Sequence, residues 1–162
     1  MSSFDWSRQV TEFNTANGYP PPLKPHLPLA PSVSALRLHL MIEELGDISR
    51  ALNENDVVKL ADGICDMLYV VIGTAVEAGL GPILHLLFDE VHRSNMTKDL
   101  GPKHEGHRGA VKGSRFEPPQ LGPIVVRYLE SLRESAERSS LPCCPANASD
   151  VSKHNNYCPR FQ

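Results

Sequence analysis

The chain has 162 residues, a formal net charge of −3 and a 41% share of hydrophobic residues, which suits one ordinary globular domain. The slight acidity argues against a general binder of nucleic acid or of anionic membranes. The opening Met1-Ser2-Ser3-Phe4-Asp5-Trp6 lacks the basic and apolar regions of a signal peptide, and no uninterrupted apolar run reaches ~20 residues, so a cytoplasmic location is expected. Cys65 falls inside a helical pattern and Cys143, Cys144 and Cys158 fall in the C-terminal stretch, which is no disulfide framework.

A short helix is expected from about Phe4 to Asn17, with Phe4, Val10 and Phe13 as core contacts and Gly18 as its stop. Tyr19 to Pro31 carries six prolines and must be extended. Leu23, Leu27 and Leu29 favour a strap lying across the surface of a bundle. A long helix follows, opening near Ser32 or Ser34 and fading at Asn53-Glu54-Asn55. Its apolar residues Leu38, Met41, Ile42, Leu45, Ile48 and Leu52 form the expected core face. Glu43, Glu44 and Asp47 project from another arc, since at roughly 100° per residue Glu44 and Asp47 lie about 60° apart and Glu43 and Asp47 about 40° apart. Leu36, Leu40 and Ala51 share that arc. Carboxylates pointing where apolar neighbours point repel one another unless a cation stands between them. Either a divalent cation does so, or the arc is a solvated acidic face with stray leucines.

A third helix is expected from about Asp56 to Ala78, closed by Gly79, with Val57, Leu60, Ile64, Met67, Leu68, Val71 and Ala75 as its apolar stripe. Asp62 and Asp66 stand one turn apart on another side, flanked by Lys59, Tyr69 and Glu77. Two long helices joined by so few residues must lie antiparallel and adjacent, so each brings a carboxylate pair to the same hairpin. Gly81-Pro82 starts a fourth helix, with Pro82 in the first turn. Its expected inner row is Leu84, Phe88 and Val91, with Asn95 next. An amide on such a row needs a partner, because an unpaired buried one costs ~1–3 kcal/mol; otherwise Asn95 merely helps to end the helix. From Thr97 to Pro119 periodicity is lost, and Gly101, Gly106, Gly109 and Gly113 alternate with Lys98, Lys103, His104, His107, Arg108, Lys112 and Arg115. Glycine with scattered cations suits contact with phosphate groups, although no Gly-x-x-x-x-Gly-Lys-Ser/Thr loop is present. A last helix runs from after Pro118-Pro119 to about Arg138, packing Leu121, Ile124, Val125, Leu129 and Leu132. The expected organisation is an all-α domain over 1–138, a bundle of four to five helices without a sheet, and a disordered tail over 139–162. His154 with Cys143, Cys144 and Cys158 lacks the Cys-x-x-Cys spacing of a zinc site.

Glu43-Glu44-Leu45-Gly46-Asp47, then Ala61-Asp62-Gly63-Ile64-Cys65-Asp66-Met67-Leu68-Tyr69-Val70-Val71, then Phe88-Asp89-Glu90-Val91-His92-Arg93-Ser94-Asn95-Met96-Thr97-Lys98 form an ordered set. It resembles the all-α nucleoside triphosphate pyrophosphohydrolases of the MazG-like superfamily, in particular the phosphoribosyl-ATP pyrophosphohydrolase-like branch, over roughly Phe4 to Leu132. The resemblance implies an oligomeric helical bundle, a homodimer or homotetramer, that uses Mg²⁺, with Mn²⁺ as a possible substitute, to cleave a nucleotide between its α- and β-phosphates. It implies that Glu44, Asp47 and Asp66 bind metal. Many members carry a second acid three residues before the last of these, where this chain has Gly63, and Asp62 is the one available substitute. Glu43, beside the metal pair, is the candidate to hold or deprotonate the attacking water; Asn95, Lys98, Lys112 and Arg115 are candidates for substrate contact. The competing readings are phosphoribosyl-ATP hydrolysis in histidine synthesis and a non-catalytic helical module that oligomerises.

Overall fold

The computed structural model describes residues 6–27, 29–102 and 108–140. The expected core contact Phe4, the basic residues Lys103, His104 and His107, and the Cys143, Cys144, His154 and Cys158 group lie outside the described residues, as does nearly all of the expected tail. The chain divides into two units, 1–129 and 130–162. The first holds helices α1 (Trp6–Ala16), α2 (Pro31–Glu54), α3 (Val57–Glu77) and α4 (Leu84–Met96), strands β1 (Asp99–Pro102) and β2 (Arg108–Val111), and the start of α5 (Leu121–Ser140). In the second, the described residues 130–140 are the remainder of that helix. No single described helix is long and apolar enough to cross a membrane.

The punctuation residues explain the helix ends. Gly18 follows α1 at φ +83°, a left-handed conformation that suits glycine. Asn55 ends α2 at φ +55°, and its neighbour Asp56 accepts hydrogen bonds from the amides of Val58 and Lys59, capping α3. Neither Ser32 nor Ser34 caps α2. Pro31 takes the first helical position and Ala30 stands before it with no side-chain bond, because a proline there has no N–H to satisfy.

The two-residue connection folds α2 and α3 into an antiparallel hairpin. Gly63 abuts Ile48 and Gly73 abuts Arg37, so partner numbers fall along α2 as they rise along α3. A Cβ on Gly63 would lie 3.1 Å from Cγ1 of Ile48 and 3.3 Å from its backbone nitrogen. The helices approach this closely because Gly63, Gly73 and the buried Ala51 present little bulk. That approach also sets the rotation of α2, and here the expectation is corrected. Of the expected core face, Leu38, Ile42, Leu45 and Leu52 are 57–68% exposed and only Met41 and Ile48 are half-buried, while Arg37, Leu40, Glu44, Asp47 and Ala51 are half-buried or buried. The acidic arc faces α3. On α3 likewise, Val57, Ile64, Leu68 and Val71 are exposed, and the buried positions are Gly63, Ile72, Gly73 and Val76.

The core of the described chain is small: Val10 of α1 packs on Ile72 and Val76, with Leu84 at its edge. The proline-rich segment does strap the bundle, but Leu23 and Leu27 are exposed, and of its three leucines only Leu29 is half-buried. Its backbone seats on the end of α3, where the amide of His26 donates to the carbonyl of Ala78 at 3.1 Å and Lys24-Pro25 crosses over Gly79.

Beyond Gly79 a single 3-10 turn, Gly81–Ile83, leads into α4, and this stretch leaves the axis of α3 at 114°. The inner row of α4 is Leu84, Leu87, Val91 and Ser94. Phe88 and Asn95 are exposed. Both rows start at Leu84 and pass through Val91; a period of 3.6 lies between steps of three and four, and α4 takes the shorter step at each end. Ser94 is buried and donates to the carbonyl of Glu117 at 2.7 Å. Arg93 pairs with both Glu90 and Glu117, and the carboxylate of Glu90, which also accepts from the Gln120 amide, is held at about 2. These bonds fix the segment before α5.

The absence of any sheet is also corrected. β1 and β2 pair antiparallel, Asp99 with Val111 and Pro102 with Arg108. Strands of four residues, five of the eight being glycine, proline or charged, are too short to show a period of two.

Candidate active site

The seam of the hairpin concentrates carboxylates. Asp47, Asp62 and Asp66 line one cleft of about 230 Å³ with Arg50, Glu54, Lys59 and Gly63. Glu44 lies one turn further along α2, level with Asp66. Its carboxyl is held above the ordinary carboxylate value, first by partial burial, then by the charges of Asp66, Glu43 and Asp62. Glu44 therefore feels Asp62 and Asp66 across the helix pair. The acids stop short of a ready-made cage: among the described residues no three acidic, histidine or cysteine groups converge as a metal centre.

Asp47 shows what holds the charges apart. One of its oxygens is shielded from solvent, makes no well-formed hydrogen bond, and has the guanidinium of Arg50 against it as an ion pair. Across the cleft, Lys59 pairs with Glu54 at 2.6 Å and approaches Asp56 at 3.9 Å. Arg50 and Lys59 are the cations of this cleft; Lys59 was expected beside Asp62 and Asp66, and sequence reasoning passed over Arg50. Arg50 stands one turn from Asp47 on its own helix, a spacing that marks it as a partner. Lys59 reaches the cleft from the start of α3.

Gly63 accounts for the missing acid of the second motif. It is buried against the backbone of α2, with no room for a long side chain as the helices stand. Asp62, next to it, is exposed yet on the cleft wall. Glu43 is exposed and sits beside the cleft rather than on its wall. Asn95 is exposed at the end of α4, and the Lys98 amide donates to the Asn95 carbonyl at 3.2 Å. Lys112 lies over the ring of Phe116, 5.0 Å from its centroid, and Arg115 pairs with Asp99. None of these last four residues lines the acidic cleft.

A second cavity of about 470 Å³ adjoins the seam at its other end, where Leu40 and Val70 lie one turn beyond Glu44 and Asp66 respectively. Its floor carries an ion pair between Arg37 and Glu77 at 2.8 Å.

The fold and seam define a class, an all-α protein whose central helical hairpin faces carboxylates across a narrow cleft. Residues 18–95, which contain α2, α3 and nearly all of α4, match the family described as phosphoribosyl-ATP pyrophosphohydrolase, and this segment is a domain of the MazG-like all-α NTP pyrophosphohydrolase superfamily. The family supports pyrophosphohydrolase activity on a nucleotide. The matched segment includes Glu43, Glu44, Asp47, Asp62, Asp66 and Asn95; Lys98, Lys112 and Arg115 lie beyond it. No curated protein matches the chain.

Proposed function

We propose that the protein hydrolyses a nucleoside or deoxynucleoside triphosphate between its α- and β-phosphates, giving a monophosphate and pyrophosphate, with Mg²⁺ held by Glu44, Asp47 and Asp66 and with Asp62 at the rim. The observation that carries this is the facing of Glu44 and Asp47 on α2 with Asp62 and Asp66 on α3, a seam in which burial first, and then the charges of Asp66, Glu43 and Asp62, raise the proton affinity of Glu44. An all-oxygen donor set suits Mg²⁺, which takes six oxygens and keeps some of them from water and phosphate. When bound, the cation supplies charge neutralisation for the leaving pyrophosphate and acidifies the attacking water; Mn²⁺ has the same ligand preference.

The chain's own residues do the rest. Glu43, outside the cleft wall, orients the water and accepts its proton as the oxygen attacks the α-phosphorus and the bond to the bridging oxygen breaks. Arg50, which pairs with Asp47, and Lys59 from α3 are the cations on the cleft wall that would bind the phosphates. Asn95, Lys98, Lys112 and Arg115 contact substrate from outside the cleft. The setting proposed is the cytoplasm, and the role is control of the nucleotide pool.

The family description favours a second substrate, phosphoribosyl-ATP. A panel of ribo- and deoxyribonucleoside triphosphates run beside phosphoribosyl-ATP with Mg²⁺, scored by pyrophosphate release, separates the two. The expected result is that at least one nucleoside triphosphate exceeds phosphoribosyl-ATP in kcat/KM by roughly tenfold or more, a difference of ~1.4 kcal/mol. The reverse ranking assigns the second reading. No turnover of any of them leaves a helical binding module.

The protein is also proposed to work as a homodimer or homotetramer. Leu38, Ile42, Leu45 and Leu52 on α2, with Ile64, Leu68 and Val71 on α3, leave two exposed apolar arcs on one hairpin, more than a monomer ordinarily leaves to water. Light scattering at micromolar concentration is expected to give twice or four times the chain mass of 17.9 kDa; the mass of one chain contradicts it.

A further inference from the structure

The last turn of α4 grips the chain again 20 residues further on. Ser94 donates to the carbonyl of Glu117, and the amide of Glu117 donates to Oγ1 of Thr97 at 2.9 Å, so both backbone polar groups of Glu117 are taken. Arg93 completes the grip. Its Nε and Nη2 each lie 2.9 Å from an oxygen of Glu90, its Nη1 lies 2.7 Å from the carboxylate of Glu117, and Nη2 also reaches the carbonyl of Pro118 at 3.5 Å. One planar fork serves all three, which an ammonium could not do. This fork, and then the Gln120 amide bonded to the same carboxylate at 2.7 Å, hold Glu90 at about 2, so the grip stays charged at neutral pH.

Closing the segment at this point brings together cations that the sequence separates. Lys98 follows Thr97 directly, while Arg115 and Lys112 precede Glu117 by two and five positions. The strands extend the closure: Asp99 stands across from Val111, so Lys98 and Lys112 are the next positions of the register. Like charges placed across from one another repel unless an anion lies between them. Asp99 is committed elsewhere, since it pairs with Arg115 and packs where a Cβ on Gly113 would overlap it. Among the described residues neither Lys98 nor Lys112 pairs with a carboxylate; Lys112 lies over the ring of Phe116.

We propose that Arg93, Glu90 and Ser94 are positioning residues, which hold the two ends of this segment together so that Lys98 and Lys112 present one anion site to the phosphate chain of the substrate. The inference rests on the nucleotide reading of the acidic seam. The grip touches no substrate; it acts through the two lysines.

The test uses inorganic tripolyphosphate, which has neither base nor sugar, titrated calorimetrically into the full chain in EDTA at low ionic strength, where screening is weak. Arg93→Lys keeps the charge and loses the fork, and Ser94→Ala removes a different bond of the grip. Each is expected to weaken tripolyphosphate binding at least about fivefold, and Lys98→Ala with Lys112→Ala at least about tenfold. In that doubly substituted background Arg93→Lys is expected to change binding less than about twofold, because nothing is left to position. A grip that merely holds the fold would lower the melting temperature and weaken binding by the same factor in both backgrounds. In turnover, the two grip variants are expected to raise KM for the preferred triphosphate about fivefold and to leave kcat within about twofold. A parent chain that does not bind tripolyphosphate, binding indifferent to both lysines, or losses that multiply across the two backgrounds overturn the proposal. Hydrolysis at the parental KM in both grip variants refutes the positioning role and leaves the enzymatic reading standing. The expected binding pattern without hydrolysis of any triphosphate supports the positioning role and refutes the enzymatic reading.

Discussion

Glu44→Gln is expected to lower pyrophosphate release by roughly 100-fold or more while leaving the fold intact and slightly more stable without metal. The substitution keeps the shape and removes one negative ligand from the seam. The stability arm follows from the sign of the titration. Partial burial, Asp66, Glu43 and Asp62 hold the Glu44 carboxyl above the ordinary 4.5, so the folded chain binds this proton more tightly than the unfolded one. The stabilisation from that proton is present below pH 4.5 and is lost as pH rises through the raised value, which leaves the ionised carboxylate a burden at neutral pH. Gln carries no such burden. Thermal melts at pH 7 should therefore place the variant level with the parent or above it in EDTA, and below it once Mg²⁺ is added. A variant that melts lower in EDTA and turns over at the parental rate would mean that Glu44 is structural.

Gly79→Ala is expected to give the largest loss of stability, about 3 kcal/mol, seen as a fall of roughly 10 °C in Tm. Gly79 sits at φ +73°, where a side chain costs about 1–2 kcal/mol. Its Cβ would also stand 2.5 Å from the carbonyl oxygen of Lys24 and 2.9 Å from the nitrogen of Pro25, both backbone atoms that cannot turn aside. Relief requires the strap to lift, which forfeits the bond from His26 to Ala78. Calorimetry on the two proteins measures this, and a change in Tm under 2 °C would show that the strap is not seated on the end of α3.

The helix boundaries were readable because each rests on a local residue. Gly18 and Gly79 adopt positive φ, Asn55 and Asp56 end one helix and cap the next, and Pro118-Pro119 precede α5. The rotation of α2 was not readable. Leu38, Ile42, Leu45 and Leu52 make a convincing apolar arc whether it is covered by the same chain or left facing outward, and periodicity carries no information on which. What decides is the close approach at Gly63 and Gly73, a property of the helix pair. The same fact turned Glu44 and Asp47 inward and placed the acids of α2 against those of α3, which the two-residue connection alone had implied. Arg50 escaped notice because an isolated cation among acids reads as a solvated ion pair until the cleft is built. Ser94 and Asn95 were exchanged by a single residue of phase, and the β1–β2 pair had too few residues to announce itself.

The central claim, cleavage between the α- and β-phosphates at a carboxylate-held cation, is tested most directly by products. The purified chain is incubated with its preferred nucleoside triphosphate and Mg²⁺, and the reaction is resolved by ion exchange, with parallel reactions in EDTA and with Glu44→Gln. The account predicts nucleoside monophosphate and pyrophosphate in equal amounts, both lost in EDTA and both reduced at least roughly 100-fold in the variant. Diphosphate with orthophosphate, or a monophosphate yield indifferent to EDTA and to Glu44, would contradict it.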